Sequence, residues 1–259
     1  MSLISKLVRG MVNQMSLSRL ELERYNRQIM IDGWGPEGQR KLKDSKVAVV
    51  GIGGLGCVSS IFLAAAGVGK IRLVDEDKSC LTDLNRQILY SVNDIGRLKI
   101  EAAKEKIHDL NPEIDVETVP EEITEDTAPR VLRDVDIMVD GLDNWKTRFI
   151  VNDYCVKQNV PFIHAGVSEF YGQITTIMPR KGPCLRCIFP KQPAETQTVA
   201  VFGATAAVLA SLQVMEVIKL IIGKGKPLIG RILFIDGEEM TFETVQAQRN
   251  PKCPACGFS

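Results

Sequence analysis

Residues 47–77, VAVVGIGGLGCVSSIFLAAAGVGKIRLVDED, constrain the fold of this chain more than any other stretch. The opening run VAVV is apolar throughout, as a strand buried on both faces must be. Glycines at 51, 53, 54 and 56 follow, and then an uncharged segment of small and apolar residues suited to a helix. GIGGLG fits G-x-G-x-x-G between a strand and a helix, the first turn of a nucleotide-binding α/β unit. One glycine permits the tight turn, one lets backbone approach a phosphate, and one lets the helix pack on the strand. Asp75 ends the next apolar run, roughly 20 residues on, where a carboxylate accepts hydrogen bonds from ribose hydroxyls. The loop alone leaves three readings open: an NAD site, an ATP site, or a glycine-rich turn with no ligand.

Strand-like runs recur at KVAVVG, KIRLVD, IDVETV, VDIMVDG and VPFIHAG, separated by the helical patterns LGCVSSIFLAAAG, GRLKIEAAKEKIHDL and WKTRFIVNDYCVKQN. This alternation predicts an α/β fold, Rossmann-like, with a mostly parallel sheet and helices on both faces. Beyond residue 168 the pattern changes. FYGQITTIM and GRILFIDGEEMTFETVQ read as strands joined by turns, so antiparallel strands extend the sheet in the C-terminal half. A long helix from about Gly203 to Ile222, stopped by Gly223, lies between them, preceded by the exposed crossover PRKGPCLRCIFPKQPAETQT. Residues 1–22 read as a helical or frayed extension, and residues 23–259 as one domain.

Lys plus Arg and Asp plus Glu each number 32, so no net field draws the chain toward nucleic acid or an anionic membrane. Lys6 and Arg9 interrupt the N-terminal apolar stretch, which excludes a signal-peptide core. The uncharged run 199–215 is short for a membrane span and contains Gly203, Ser211 and Gln213, so a buried helix is expected. These readings point to a cytoplasmic protein. The cysteines number 7, and Cys57, Cys80 and Cys155 stand alone in core-like segments, which argues against a disulfide framework.

Charge decides between the nucleotides. The pyrophosphate of NAD can rest on helix N–H groups, whereas a triphosphate attacked at phosphorus needs cations and usually Mg²⁺. Arg86 in LTDLNRQILY, Lys99 in GRLKIEAAKEK and Asp143 in VDGLDN all follow strand ends and converge on the carboxyl edge of the sheet, where Asp143 could hold Mg²⁺. A dehydrogenase would want a proton-transfer residue, and only His108 and His164 exist. His108 falls in a helix tail and reads as solvated; His164 ends a strand and could line the pocket, with no partner nameable. Cys184-x-x-Cys187 and Cys253-x-x-Cys256 carry the spacing of a tetrahedral zinc site that would pin the C-terminal tail to the crossover. A redox pair is the competing reading for either motif alone.

RYNRQI (24–29), GIGGLG (51–56), VDEDKSCLTDLNRQ (74–87), GRLK (96–99), GLDN (141–144) and the paired CLRC and CPAC together resemble the ThiF/MoeB/HesA family, relatives of the ubiquitin-activating enzyme, from about residue 20 to 257. The resemblance implies that Mg-ATP adenylates the C-terminal carboxylate of a small ubiquitin-like sulfur-carrier protein ending in Gly-Gly, releasing pyrophosphate. It places Gly51, Gly53 and Gly54 around the nucleotide, Asp75 on the ribose, and Asp83, Asn85, Arg86 and Lys99 at the phosphates. Asp143 would coordinate Mg²⁺ with Asn144 beside it, and Arg27 would reach across a homodimer into the partner's site. Arg27, Arg86, Lys99 and Asp143 form the expected catalytic set. Two departures stand out. Several relatives carry a cysteine near Thr196 in the crossover, whereas this chain has none between 188 and 252, so it is expected to stop at the acyl-adenylate and leave sulfur transfer to a separate donor. Asp83 stands where relatives often have Asn, and the added anion could weaken ATP binding or help hold metal. An NAD(P)-dependent oxidoreductase and a non-catalytic nucleotide-binding scaffold are the alternatives. The carrier's pathway (molybdenum cofactor, thiamine, tRNA thiolation or protein conjugation) stays open.

Overall fold

The computed structural model describes residues 17–193 and 199–257. Strand β1 (Lys46–Val50) is the apolar run before the glycines, and its last four residues are buried. It lies inside an eight-stranded sheet of order β3-β2-β1-β4-β5-β6-β7-β8, where β2 is Lys70–Val74, β3 Asp115–Val119, β4 Ile137–Asp140, β5 Phe162–Ser168, β6 Tyr171–Ile177, β7 Arg231–Asp236 and β8 Thr241–Gln246. Pairing is parallel from β3 through β5 and antiparallel from β5 through β8. The predicted parallel half and its antiparallel extension are therefore both present. The chain builds outward from β1 to β3, then returns to β4 on the other side of β1. At that reversal a crevice opens beyond the carboxyl ends of the strands, where ligands of open α/β sheets bind.

Among the described residues three helices precede the sheet: α1 (Arg19–Arg24), α2 (Asn26–Ile29) and α3 (Gly35–Asp44). Ser18 and Glu21 form a capping box at the start of α1, and Lys43 of α3 pairs with Glu21 at 2.8 Å. Helix α1 crosses the end of the expected N-terminal extension, and residues 1–16 of that extension lie outside the described residues. The RYNRQ motif works partly as an anchor. The Tyr25 hydroxyl accepts from Asn111 Nδ2 at 2.8 Å, and Gln28 Nε2 donates to the Ala66 carbonyl at 2.7 Å. These contacts hold α2 against the end of α4 (Gly54–Ala66), which stops at Gly67 in the left-handed region.

The remaining helices are α5 (Lys99–Leu110), α6 (Ala128–Val131), α7 (Trp145–Gln158), α8 (Leu185–Ile188) and α9 (Gly203–Ile222). Alternate strand residues feed two cores, one on each face. Val47, Val49, Ile71 and Leu73 pack with α4, α5 and α9, whereas Ala48, Val50 and Met138 pack with α6 and α7. Each such fully buried Leu or Ile stabilises the fold by about 1.5–3 kcal/mol before entropy is counted. Helix α9 is the one described helix long and apolar enough to cross a membrane, and it lies against α4, β5 and β6. The crossover contributes the short α8, which the sequence reading missed. Cys57 and Cys155 are buried as expected, but Cys80 is exposed. It sits in the loop after β2, where a lone apolar-looking residue lies on the outside of a 3₁₀ turn rather than in the core.

Candidate active site

A cleft of about 640 Å³ occupies the crevice beyond the strand ends. Its floor is the glycine loop. Gly51 has φ +84°, and a Cβ there would lie 2.7 Å from the Gly141 carbonyl oxygen. Side chains on Gly56 or Gly141 would collide with the Gly51 carbonyl, so β1 and β4 reach the crevice with their backbones in contact. Gly53 caps α4 without a side-chain hydrogen bond, leaving the first N–H groups of that helix to face the cleft. An uncapped helix N-terminus of this kind favours an anion.

Asp75 closes the loop from the neighbouring strand. One carboxylate oxygen accepts the Ile52 N–H at 2.6 Å and the other the Asp77 N–H at 2.8 Å. Burial pushes its carboxyl above the ordinary value, opposed by the Ile52 N–H and by Lys99. Lys99, in the first turn of α5 and 7 % exposed, donates to Asp77 at 2.9 Å. Burial works to depress its ammonium, but Asp77, Asp75 and Asp83 outweigh it and raise the pKa. Arg86 is held by the Thr82 carbonyl at 2.8 Å and by Asn85 Oδ1 at 3.0 Å. Asp143 is exposed on the turn from β4 to α7, and Asn144 caps α7 by accepting the Thr147 N–H at 2.9 Å.

Gly51, Gly53, Gly54, Asp75, Arg86, Lys99, Asp143 and Asn144 all line this one cleft. Asp83 and Asn85 do not. The Asp83 carboxylate is buried in the 3₁₀ turn, accepting from the Cys80 N–H at 3.0 Å and from Gln87 Nε2 at 2.8 Å. Asp83 Oδ1 lies 3.6 Å from Arg86 Nη2, so the carboxylate sits in the turn behind that arginine. Arg27 lies elsewhere, exposed on α2, and makes no ion pair among the described residues. Thr196 lies outside the described residues.

The sequence reading missed a buried polar group at the β5 side of the cleft. Asp140, at the end of β4, is fully buried and accepts from Arg148 Nε at 3.1 Å. His164 Nδ1 lies 2.6 Å from the same oxygen, and His164 Nε2 lies 3.5 Å from Gln173 Nε2. Burial depresses the imidazole pKa, with Asp140 opposing and Arg148 reinforcing, so His164 is neutral. His164 therefore sits behind the cleft wall, whereas Arg148, Trp145 and Gln173 form part of it. The only sequence signal was an acid at the end of an apolar strand, which also reads as an ordinary turn.

The four paired cysteines converge. Their sulfurs lie within 4.8 Å of one another, with Cys184 to Cys253 at 3.6 Å and Cys187 to Cys256 at 3.3 Å. Four thiolates about 2.3 Å from a tetrahedral zinc stand about 3.8 Å apart, so the cluster suits that ion. None of the four lines the cleft.

The profile of the ThiF family matches residues 25–255. The SAMP-activating enzyme E1 of Haloferax volcanii is 40 % identical over 248 residues, covering 94 % of this chain and 92 % of its own. The sulfur carrier protein adenylyltransferase of Thermus thermophilus is 40 % identical over 253 residues, covering 94 % and 93 %. Among solved structures, E. coli MccB with ATP superposes with a TM-score of 0.82 at 31 % identity, over 90 % of this chain and 74 % of that one. A doubly wound sheet, a glycine loop with its basic rim, and matches along nearly the full length make this chain a member of the ThiF family.

Proposed function

We propose that the chain is an adenylyltransferase that uses ATP to activate the C-terminal carboxylate of a small ubiquitin-like sulfur-carrier protein ending in Gly-Gly. The observation that carries this reading is the convergence of Arg86, Lys99 and Asp143 around an uncapped helix N-terminus. A carboxylate is a poor acyl donor, because a nucleophile would have to pile charge on an anion. Its oxygen instead attacks the α-phosphorus of ATP and expels pyrophosphate, giving a mixed anhydride. Both reactants are anions, so catalysis is positioning and charge neutralisation, with no general base required. The α4 N–H groups and Arg86 hold phosphate oxygens, and Lys99 offsets the charge that develops on transfer. Asp143 offers a solvent-facing carboxylate that would hold a hydrated Mg²⁺, and that ion would supply neutralising charge to the phosphates. The cysteine cluster would hold a structural zinc that ties the tail to the crossover.

The names of the two relatives, and the ATP in the MccB structure, support this assignment. The oxidoreductase reading loses its proton-transfer candidate, since His164 is buried and paired with Asp140. We also propose that the active unit is a homodimer into whose clefts Arg27 reaches from the partner. Exposed Leu81, Ile88 and Val92, flanking the Arg86 turn, supply an apolar surface for a second copy. Burial pushes the Cys57 thiol up to about 12 and raises that of Cys155 too, so neither serves as an acyl acceptor, and a separate sulfur donor completes the sequence.

ATP–pyrophosphate exchange tests the reading. Label should enter ATP only when a carrier ending in Gly-Gly is present. No exchange with any such carrier, together with tight NAD binding, would overturn it.

A further inference from the structure

The group formed by Asp140, His164 and Gln173 has a direction. The Asp140 carboxylate, anchored by Arg148, can only accept, so His164 carries its proton on Nδ1 and donates to it. That leaves Nε2 of the neutral ring as a lone pair, and only a donor can face it. Gln173 must therefore present its NH₂ to the ring at 3.5 Å and turn Oε1 away. The ring itself is fixed by aromatic neighbours, with centroids 5.8 Å from Trp145, 6.5 Å from Phe162 and 6.3 Å from Phe189. Gln173 lines the cleft, and its Oε1 has no hydrogen-bond partner among the described residues. Directly across the β5–β6 ladder stands Gly166, where a Cβ would come within 3.5 Å of Gln173 Nε2, so no side chain from β5 stands opposite the amide, whose other neighbour is Phe234 of β7.

The position of this acceptor says what it meets. Asp75 lies on the β2 side of the β1–β4 crevice, and Gln173 lies on β6, beyond β5, on the opposite side. The nucleoside end and the Gln173 end are thus separated by the glycine loop. On the adenylation reading, with the nucleoside at Asp75, the β5–β6 side with Gly166 is the part of the cleft left for the group that attacks the α-phosphorus. A lone amide oxygen repels a carboxylate and accepts from an N–H.

We infer that Gln173 Oε1 accepts a backbone N–H from one of the last two residues of the substrate's peptide tail, and that His164 is the positioning residue that locks the amide in that orientation. The inference rests on the adenylation reading and names a specificity determinant for its peptide substrate. The tail is read by its backbone, which suits a Gly-Gly end that has no side chains to read. Restricting the amide to one orientation also lowers the ordering cost when the tail binds.

The test uses a Gly-Gly sulfur carrier that supports exchange with the wild-type enzyme, and semisynthetic versions with sarcosine at the terminal or the penultimate glycine. N-methylation removes one donor at a time. The wild-type enzyme should show a carrier KM raised roughly threefold to tenfold for one of the two versions, the size of a single net hydrogen bond. Gln173→Leu should raise the KM for the unmodified carrier by a similar factor and no longer distinguish it from that version, with ATP binding in the absence of carrier unchanged. His164→Phe keeps the ring among its aromatic neighbours and should lose the same discrimination, an effect that a purely structural role would not produce. Should His164→Phe fail to fold, Gln173→Leu carries the test by itself. Undiminished discrimination by Gln173→Leu, or none by the wild-type enzyme, would overturn the inference. Absence of exchange with the unmodified carrier would instead strike the adenylation reading.

Discussion

Lys99 combines two requirements that usually conflict, a buried side chain and a permanent charge. Its ion pair with Asp77 and the fields of Asp75 and Asp83 raise its pKa above the ordinary 10.5 despite burial. It therefore acts as a fixed cation and never as a proton carrier at neutral pH. Lys99→Met should lower the exchange rate by about 10²–10³, the cost of removing one preorganised charge partner from a transition state. The shape of the pH profile between about pH 6 and 9 should stay the same, because no titration of Lys99 contributes to it. A rising limb lost in the variant would contradict that role. His164 behaves in the opposite way. Its folded-state pKa lies below 6.5, so the unfolded chain takes up a proton that the folded chain refuses. Stability contributed by the neutral ring is complete at higher pH and declines as pH falls below about 6.5. His164→Phe should be less stable than wild type at pH 8, with the gap narrowing toward pH 5 in urea unfolding followed at each pH. A gap of constant size would mean that folding leaves the imidazole pKa unshifted, and a gap widening toward pH 5 would mean that the ring is charged in the folded protein.

At the scale of elements, the β1–β4 contact is the tightest point of the crevice. Gly141→Ala drives a Cβ into the Gly51 carbonyl and must part the two strands, at about 1–3 kcal/mol or more. The melting temperature should fall by roughly 2–4 °C for each kcal/mol. Gly54→Ala is the control, since its Cβ would meet Ala206 at an ordinary 3.5 Å. That variant should melt like wild type and lose ATP affinity in calorimetry, which separates the fold's need for glycine from the ligand's. The elements themselves were legible because periodicity and punctuation agree. VAVV ends in glycines, KIRLVD in an acid, and the helix from Gly203 in Gly223, and each became the element expected. Pairings between elements were less legible. Asp140 and His164 lie 24 residues apart on adjacent strands, and neither residue's neighbours in sequence announce the other. The local contacts of Asp83 were equally silent in the sequence, where nothing marks Gln87, one turn on, as the donor that its carboxylate accepts from. Arg86 and Lys99 were readable because strand ends in a parallel sheet share one edge whatever the loops between them do.

At the scale of the whole molecule, two long-range connections complete the reading. Four sulfurs joining residues 184–187 to residues 253–256 close a large loop, and a metal held there stabilises only the folded chain. One zinc per chain should appear in native mass spectrometry. Cys253→Ser should lower the melting temperature while leaving ATP affinity at 20 °C close to wild type. A metal-free protein of full stability would remove zinc from the account. The second connection is Arg27, whose helix is tied down by Tyr25 and Gln28 while its own side chain is exposed and lines no part of its own chain's cleft. If it serves the partner's cleft, two dead variants should rescue each other. An Arg27→Ala chain keeps a sound cleft, and a Lys99→Met chain keeps a sound arginine. In a mixed dimer, the first chain's cleft receives the second chain's Arg27 and is whole, while the other site lacks both groups. Random reassortment makes half the dimers mixed and half of their sites whole, so the equimolar mixture should recover about a quarter of wild-type exchange. An arginine acting within its own chain predicts no recovery at any ratio, which makes the mixing curve a direct measure of whose cleft Arg27 completes.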